Sequence, residues 1–249
     1  MTTNFYDSFH NKVVCDSRWT VSSEDFDLYV DDTGFKKIEI VDDYTFMFAG
    51  NAEVIADWKD FIHKRPRPQN SDSLPAKKNL SVLIVNNQSK RLEDSYGHSV
   101  LQRFWKDDNA PLIATFAGTG GDHAAYGWVT CKKLDCIEAV KFAISKDRYS
   151  GGKVKFYDVM TGDNNITKCE GPSCLPRELE EKGMVKYHSI LGTEKTISEA
   201  RKTDPNIEKM LRGKASRASG FTAPCDAMYR EPSPKEAERL CATFRRIFA

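Results

Sequence analysis

No apolar run in this chain approaches the roughly 20 residues needed to span a bilayer, so no membrane-spanning helix is expected. The opening stretch, Met1 to Asp7, has neither the basic nor the apolar segment of a secretory signal, and the expected location is the cytoplasm. Charge of one sign is missing too. Lys plus Arg number 37 against 36 Asp plus Glu, a formal net charge of +1, which leaves no electrostatic footprint for nucleic acid or an anionic membrane. Small or peptide-like partners fit better. Seven cysteines (Cys15, Cys131, Cys136, Cys169, Cys174, Cys225 and Cys241) contain no Cys-x-x-Cys pair, so neither zinc nor dithiol redox chemistry is indicated. The odd count and a reducing compartment point to free thiols used for packing. Strands and helices do not alternate along the chain, which excludes a doubly wound parallel sheet.

What is present is enough length, 249 residues, for one domain with a substantial core. Residues 2–7 and 12–16 read as a hairpin, and a polar stretch from Ser22 to Gly34 leads to two further strands, Phe35 to Val41 and Tyr44 to Ala49. A helix begins near Asn51, with Val54, Ile55, Trp58, Phe61 and Ile62 on one stripe, and stops at Arg65-Pro66-Arg67-Pro68 before a polar loop that runs through Asn79. Leu80 to Val85 and Pro111 to Ala117 read as strands. Two helices follow, from about Asp122 to Thr130 and from Asp135, and then a strand pair, Lys153 to Met160 and Asn165 to Cys169. The order predicts an α+β fold in which two antiparallel sheets lie between helical layers, a four-layer αββα sandwich. The expected division is a main domain over 1–170 and a C-terminal extension over 171–249. That extension is weakly periodic and expected to be irregular to 232, then helical from the capping sequence Ser233-Pro234-Lys235-Glu236, and packed on the same domain. Ala237, Leu240, Cys241, Phe244, Ile247 and Phe248 form an apolar stripe that must dock on something.

The chemistry is concentrated at the start. Removal of Met1, which aminopeptidases perform before a small residue, would give Thr2 a free α-amine beside its own hydroxyl. A hydroxyl is a poor nucleophile until a base takes its proton, and an α-amine with a pKa near ~7.7–8.0 is such a base around neutral pH. Asp16 and Lys37 lie in or at the ends of otherwise apolar strands, where an unpaired charge is costly. Gly50 closes a strand just before a helix, where backbone N–H groups are free to hold a developing oxyanion.

Together Thr2-Thr3, Asp16-Ser17-Arg18, Gly34-Phe35-Lys36-Lys37-Ile38, Phe48-Ala49-Gly50, Gly118-Thr119-Gly120-Gly121 and Asp147-Arg148-Tyr149-Ser150-Gly151-Gly152 resemble the proteasome β-subunit and HslV family of N-terminal-nucleophile hydrolases. The resemblance covers residues 2–168 and leaves the last third unmatched. It implies Thr2 as nucleophile and base and Lys37 as the active-site lysine, with Asp16 as its partner and the Gly50 N–H as oxyanion donor. Thr119 stands where relatives commonly have serine, and Asp147 and Ser150 match the residues that hold the terminal amine and the nucleophile. The first hairpin is about two residues shorter than in the best-known relatives, so Thr3 remains an alternative to Thr2, although it requires a second trimming step. Trp19 and Thr20 fall where relatives line the substrate channel, and Phe48 at the floor of the first specificity pocket; large rings there favour small or flat substrate side chains. The implied activity is peptide or protein hydrolysis without metal or organic cofactor. A homo-oligomeric ring and an unfoldase regulator are the partners the family brings with it. Two alternatives stay open: a non-catalytic binding or ring-building subunit that retains Met1, and a small-molecule amide hydrolase on the same fold.

Overall fold

The computed structural model describes residues 2–64, 74–75, 77–97, 101–107, 110–130, 135–189 and 192–248. Met1, Cys131, the Arg65 to Pro68 helix stop and most of the loop after it lie outside the described residues. The chain is α+β, with two antiparallel sheets and seven α-helices among the described residues. The strands in chain order are β1 (Asn4–Asp7), β2 (Lys12–Cys15), β3 (Trp19–Ser22), β4 (Phe26–Val30), β5 (Ile38–Val41), β6 (Tyr44–Asn51), β7 (Leu80–Asn86), β8 (Arg91–Tyr96), β9 (Leu101–Asp107), β10 (Ala110–Ala117), β11 (Lys155–Asp158), β12 (Met184–Tyr187), β13 (Glu194–Thr196) and β14 (Thr222–Ala223). The helices are α1 (Ala52–His63), α2 (Gly121–Thr130), α3 (Cys136–Lys146), α4 (Cys174–Lys182), α5 (Ile197–Ala200), α6 (Pro205–Arg212) and α7 (Pro234–Phe248).

One sheet runs β11-β2-β1-β10-β9; the other runs β13-β12-β4-β3-β14-β6-β7-β8, with β5 on β6. Strand alternation sorts the apolar side chains into three buried interfaces. Phe5, Val14 and Phe116 pack against Trp128 of α2 and Ala139, Val140 and Ala143 of α3. Tyr6, Val13 and Cys15 meet Ile38, Met47, Leu83 and Val85 between the two sheets. Phe46, Phe48, Val82 and Ile84, on the far face of the second sheet, pack against Ile55 and Trp58 of α1 and Leu240 and Phe244 of α7. Helices, sheet, sheet and helices therefore succeed one another, and the apolar stripe of α7 is buried within its own chain, with Phe244 against Trp58 at a ring separation of 4.9 Å.

Several elements differ from the sequence expectation. The polar stretch from Ser22 to Gly34 contains a buried strand, β4, and Trp19–Ser22 forms its hairpin partner, so six strands rather than four precede α1. The turn between them is tied by Ser23, whose hydroxyl accepts from the Phe26 N–H at 3.1 Å. The expected strand from Asn165 to Cys169 does not form; only a single bridge joins Tyr157 and Asn164. Asn165 takes the ladder's place with its side chain, accepting from the Phe156 N–H at 2.9 Å and donating to the Val154 carbonyl at 2.8 Å. Residues 171–248 are far from irregular: they supply α4 to α7 and β12 to β14, and Leu175, Leu179, Val185, Ile207, Leu211 and Phe221 belong to the same buried cluster as Phe46 and Trp58.

Candidate active site

The site is assembled at one end of the space between the sheets. Thr2 and Thr3 lead into β1, and Asp16 follows β2 directly across the hairpin, where its N–H donates to the Thr3 carbonyl at 3.2 Å. Lys37 precedes β5, and its carbonyl accepts from the Phe48 N–H of β6 at 2.8 Å. Three elements far apart in sequence thus place Thr2, Asp16 and Lys37 together, none of them more than 3% exposed.

The Lys37 ammonium donates to the Thr2 hydroxyl oxygen at 2.7 Å and to Asp16 Oδ1 at 3.0 Å. The Thr2 hydroxyl itself donates to the same Asp16 oxygen. Asp16 also accepts from the Thr3 N–H at 3.0 Å on Oδ1, and from the N–H groups of Arg18 and Gly151 at 3.1 Å each on Oδ2. Burial alone would push its pKa up, but Lys37 and these donors outweigh it and hold the carboxyl below its usual value. Asp16 is therefore a fixed anion, and Lys37 a cation aimed at the threonine oxygen. The nearby Cys15 thiol, pushed up to about 12 by burial, is protonated and no competitor as a nucleophile.

A second polar chain abuts the first. Asp147 Oδ2 accepts from the Ser150 hydroxyl at 2.7 Å and from the Thr119 hydroxyl at 3.5 Å. Because Ser150 donates to Asp147, its oxygen is left to accept from the Thr3 hydroxyl at 2.8 Å. Ser150 and Asp147 thus hold Thr3, the neighbour of Thr2, rather than the Thr2 hydroxyl. Gly120 makes this approach feasible: a Cβ at that position would run into the Thr3 hydroxyl and also crowd Ser150.

Gly50 has φ +125°, and a side chain there would strike the Asn79 carbonyl, so only glycine fits. It lies in β6 between Phe48 and Ala52, whose N–H groups donate across one strand edge to the Lys37 and Phe221 carbonyls at 2.8 and 3.0 Å. The two-residue alternation of a strand assigns the Gly50 N–H to that same edge, where Ala223 of β14 stands opposite it and Lys37 follows two residues on, opposite Phe48. Among the residues expected to contact substrate, Trp19 lies against Lys37, its ring centroid 5.7 Å from the ammonium, and donates its indole N–H to the Phe35 carbonyl at 3.1 Å. Thr20 is in β3, 1% exposed. Phe48 sits on the helical side of its sheet, beside Phe46, with its side chain turned from the intersheet space where Met47 points.

Sequence reasoning missed the brace around the site. Arg18 pairs with Asp31 through two hydrogen bonds of 2.9 Å and donates to the Arg148 carbonyl at 3.1 Å, locking the loop after β2 to the loop after α3. Arg148 in turn pairs with Asp27 of β4 at 2.5 Å. These partners, Asp27 within β4 and Asp31 directly after it, belong to the segment whose polar composition concealed the hairpin. Among the described residues, Glu170, Cys174 and Glu178 are close enough to suggest a metal site, but Glu178 is engaged by Lys182 at 2.6 Å and the Gly34 N–H at 2.7 Å, and Glu170 by Arg177 at 3.0 Å. No family model matches the sequence, and no curated protein or solved structure matches it.

Proposed function

We propose that this chain is an N-terminal threonine hydrolase of the proteasome-like N-terminal-nucleophile fold, cleaving peptide bonds once Met1 has been removed. The observation that carries the reading is the placement of a buried ammonium, Lys37, 2.7 Å from the Thr2 hydroxyl oxygen, with Asp16 shared between them. A lysine so placed stabilises negative charge as it develops on the threonine oxygen.

In the proposed reaction the unmasked Thr2 amine takes the proton of its own hydroxyl as Oγ1 attacks the substrate carbonyl carbon. The Gly50 N–H, which has Ala223 opposite it in the structure, supports the resulting oxyanion once that edge is open. Collapse breaks the C–N bond; the leaving amine receives the proton held by the Thr2 amine, and the acyl group stays on Thr2 as an ester. Water, deprotonated by the same amine, then hydrolyses the ester and restores the hydroxyl. Asp16 stays ionised throughout and keeps Lys37 charged and aimed, while Asp147 and Ser150 hold the Thr3 side chain beside the terminus. A cytoplasmic location accompanies this reading, and no described helix is long and apolar enough to cross a membrane. A ring of copies and an unfoldase partner remain part of the proposal only through the family resemblance.

The test combines intact mass with a peptide epoxyketone, which requires both the hydroxyl and the free amine for its adduct. Loss of Met1 together with one adduct per chain at Thr2 is the expected result. Hydrolysis by protein that retains Met1, or by a Thr2→Ala variant, would overturn the mechanism.

A further inference from the structure

β14 is two residues long, yet it is what joins the two halves of the larger sheet: among the described residues, β3 and β6 are bridged by no other strand. Its register sets Thr222 opposite Thr20 on one side and Asn51 on the other, and Ala223 opposite Gly50. Lys37 occupies the next station along the same edge of β6, opposite Phe48. Since β14 is antiparallel to β6, the chain runs from Thr222 through Ala223 toward Lys37 and leaves the ladder at Pro224, which has no N–H to continue it. A segment from the C-terminal third of the protein thus lies as an extended strand in the slot that ends at Lys37, whose ammonium meets the Thr2 hydroxyl.

The occupant is anchored at its flanks. Phe221 is fully buried in the helical-side core and accepts from the Ala52 N–H at 3.0 Å; Asn51 Nδ2 donates to the Ser219 carbonyl at 2.7 Å; Cys225 is fully buried beside Ala49. Between those anchors the side-chain contacts are sparse. Thr222 Oγ1 reaches the Thr20 carbonyl only at 3.3 Å, and the buried Thr20 hydroxyl finds no hydrogen-bond partner among the described residues. Two strand edges that face each other across a one-strand gap form a receptor for an extended peptide, because its main chain pairs with both.

Resting on the Thr2 reading above, we propose that residues 221–225 are an internal plug: they fill the slot for an extended substrate strand and keep the folded protein closed until they are displaced. A ligand that competes with such a plug sees its affinity divided by the small open fraction, so weakening the plug strengthens binding in proportion. Small side chains at the two central positions of the ligand, as in the plug's Thr222 and Ala223, are expected to suit the slot.

The experiment uses the full chain freed of Met1 and a labelled peptide with the sequence of residues 221–224. Phe221→Ala is expected to raise peptide affinity by ~tenfold or more. Alkylation of Cys225, located by mass spectrometry, and epoxyketone adduct formation at Thr2 should quicken in parallel. Adding Thr2→Ala should leave the peptide and alkylation responses in place. A folded Phe221→Ala protein with unchanged peptide affinity and Cys225 protection overturns the plug. Should that variant fail to fold, wild-type protein decides: saturating peptide should accelerate Cys225 alkylation, and an unchanged rate overturns the proposal. Peptide binding and Cys225 exposure without any Thr2 adduct would remove the hydrolase reading and keep the plug; equal adduct rates in both proteins with an unresponsive Cys225 would do the reverse.

Discussion

Two adjacent threonines enter the site with different partners. Thr2 meets Lys37 and Asp16, whereas Thr3 meets Ser150. Thr2→Ala is therefore expected to abolish turnover, by about 10⁴-fold or more on the scale of other deleted nucleophiles, while Thr3→Ala retains a reduced kcat; comparing kcat for the two variants on one peptide checks this. The charged pair also has a stability consequence. Lys37→Met leaves Asp16 buried and uncompensated, and urea denaturation should show a loss of about 3–5 kcal/mol. Since the folded-state pKa of Asp16 is depressed, its stabilisation is fully present above the unfolded aspartate value of about 3.9 and is lost as pH falls through the lower folded value. Urea midpoints measured between neutral pH and strong acid should fall steeply in that window for wild type, and less steeply for Asp16→Asn. Asp16 and Lys37 were legible in the sequence, because a charge in an apolar strand demands a partner; that Lys37 reaches the Thr2 hydroxyl while the Thr3 hydroxyl meets Ser150 was visible only in the structure.

At the scale of elements, local signals succeeded where side chains cap their own helix. Asn51 accepts from the Glu53 and Val54 N–H groups at the start of α1, Asp135 caps α3, and Ser233 and Glu236 exchange hydrogen bonds at the start of α7. Asp135→Ala is expected to lower stability by about 1 kcal/mol in thermal or urea unfolding. The α7 stripe anticipated from periodicity is buried through Phe244, whose ring centroid lies within 6.0 Å of those of Phe46, Trp58 and Phe61. Phe244→Ala should cost about 3–5 kcal/mol, measured the same way. Elements whose hydrogen bonds are made at a distance were hidden instead. β4 carries Asp27 into a buried strand because Arg148, more than a hundred residues away, reaches it; β8 reads as polar because Asp94 is met by Arg239 at 2.8 Å and Thr243 at 2.9 Å from α7.

Across the whole molecule, the last third is a structural part of both the large sheet and its helical cover. A chain ended at residue 170 would lose β12 to β14 and α4 to α7 and uncover Phe46, Phe48 and Trp58, so it is expected to be insoluble or molten, with near-UV circular dichroism lost; a soluble, cooperatively folded fragment would contradict this. The sequence by itself determined the α+β class, the antiparallel sheets and the need of Asp16 and Lys37 for partners, because hydrophobic period, turn chemistry and the cost of a buried charge are local properties. Only the tertiary structure decided which of the two threonines faces the lysine, how the brace through Arg18 and Arg148 closes around them, and that the chain's own residues 221–225 lie beside Gly50. Those outcomes depend on pairings between segments up to two hundred residues apart, and a two-residue strand, held by its neighbours' edges, has too little sequence to announce itself.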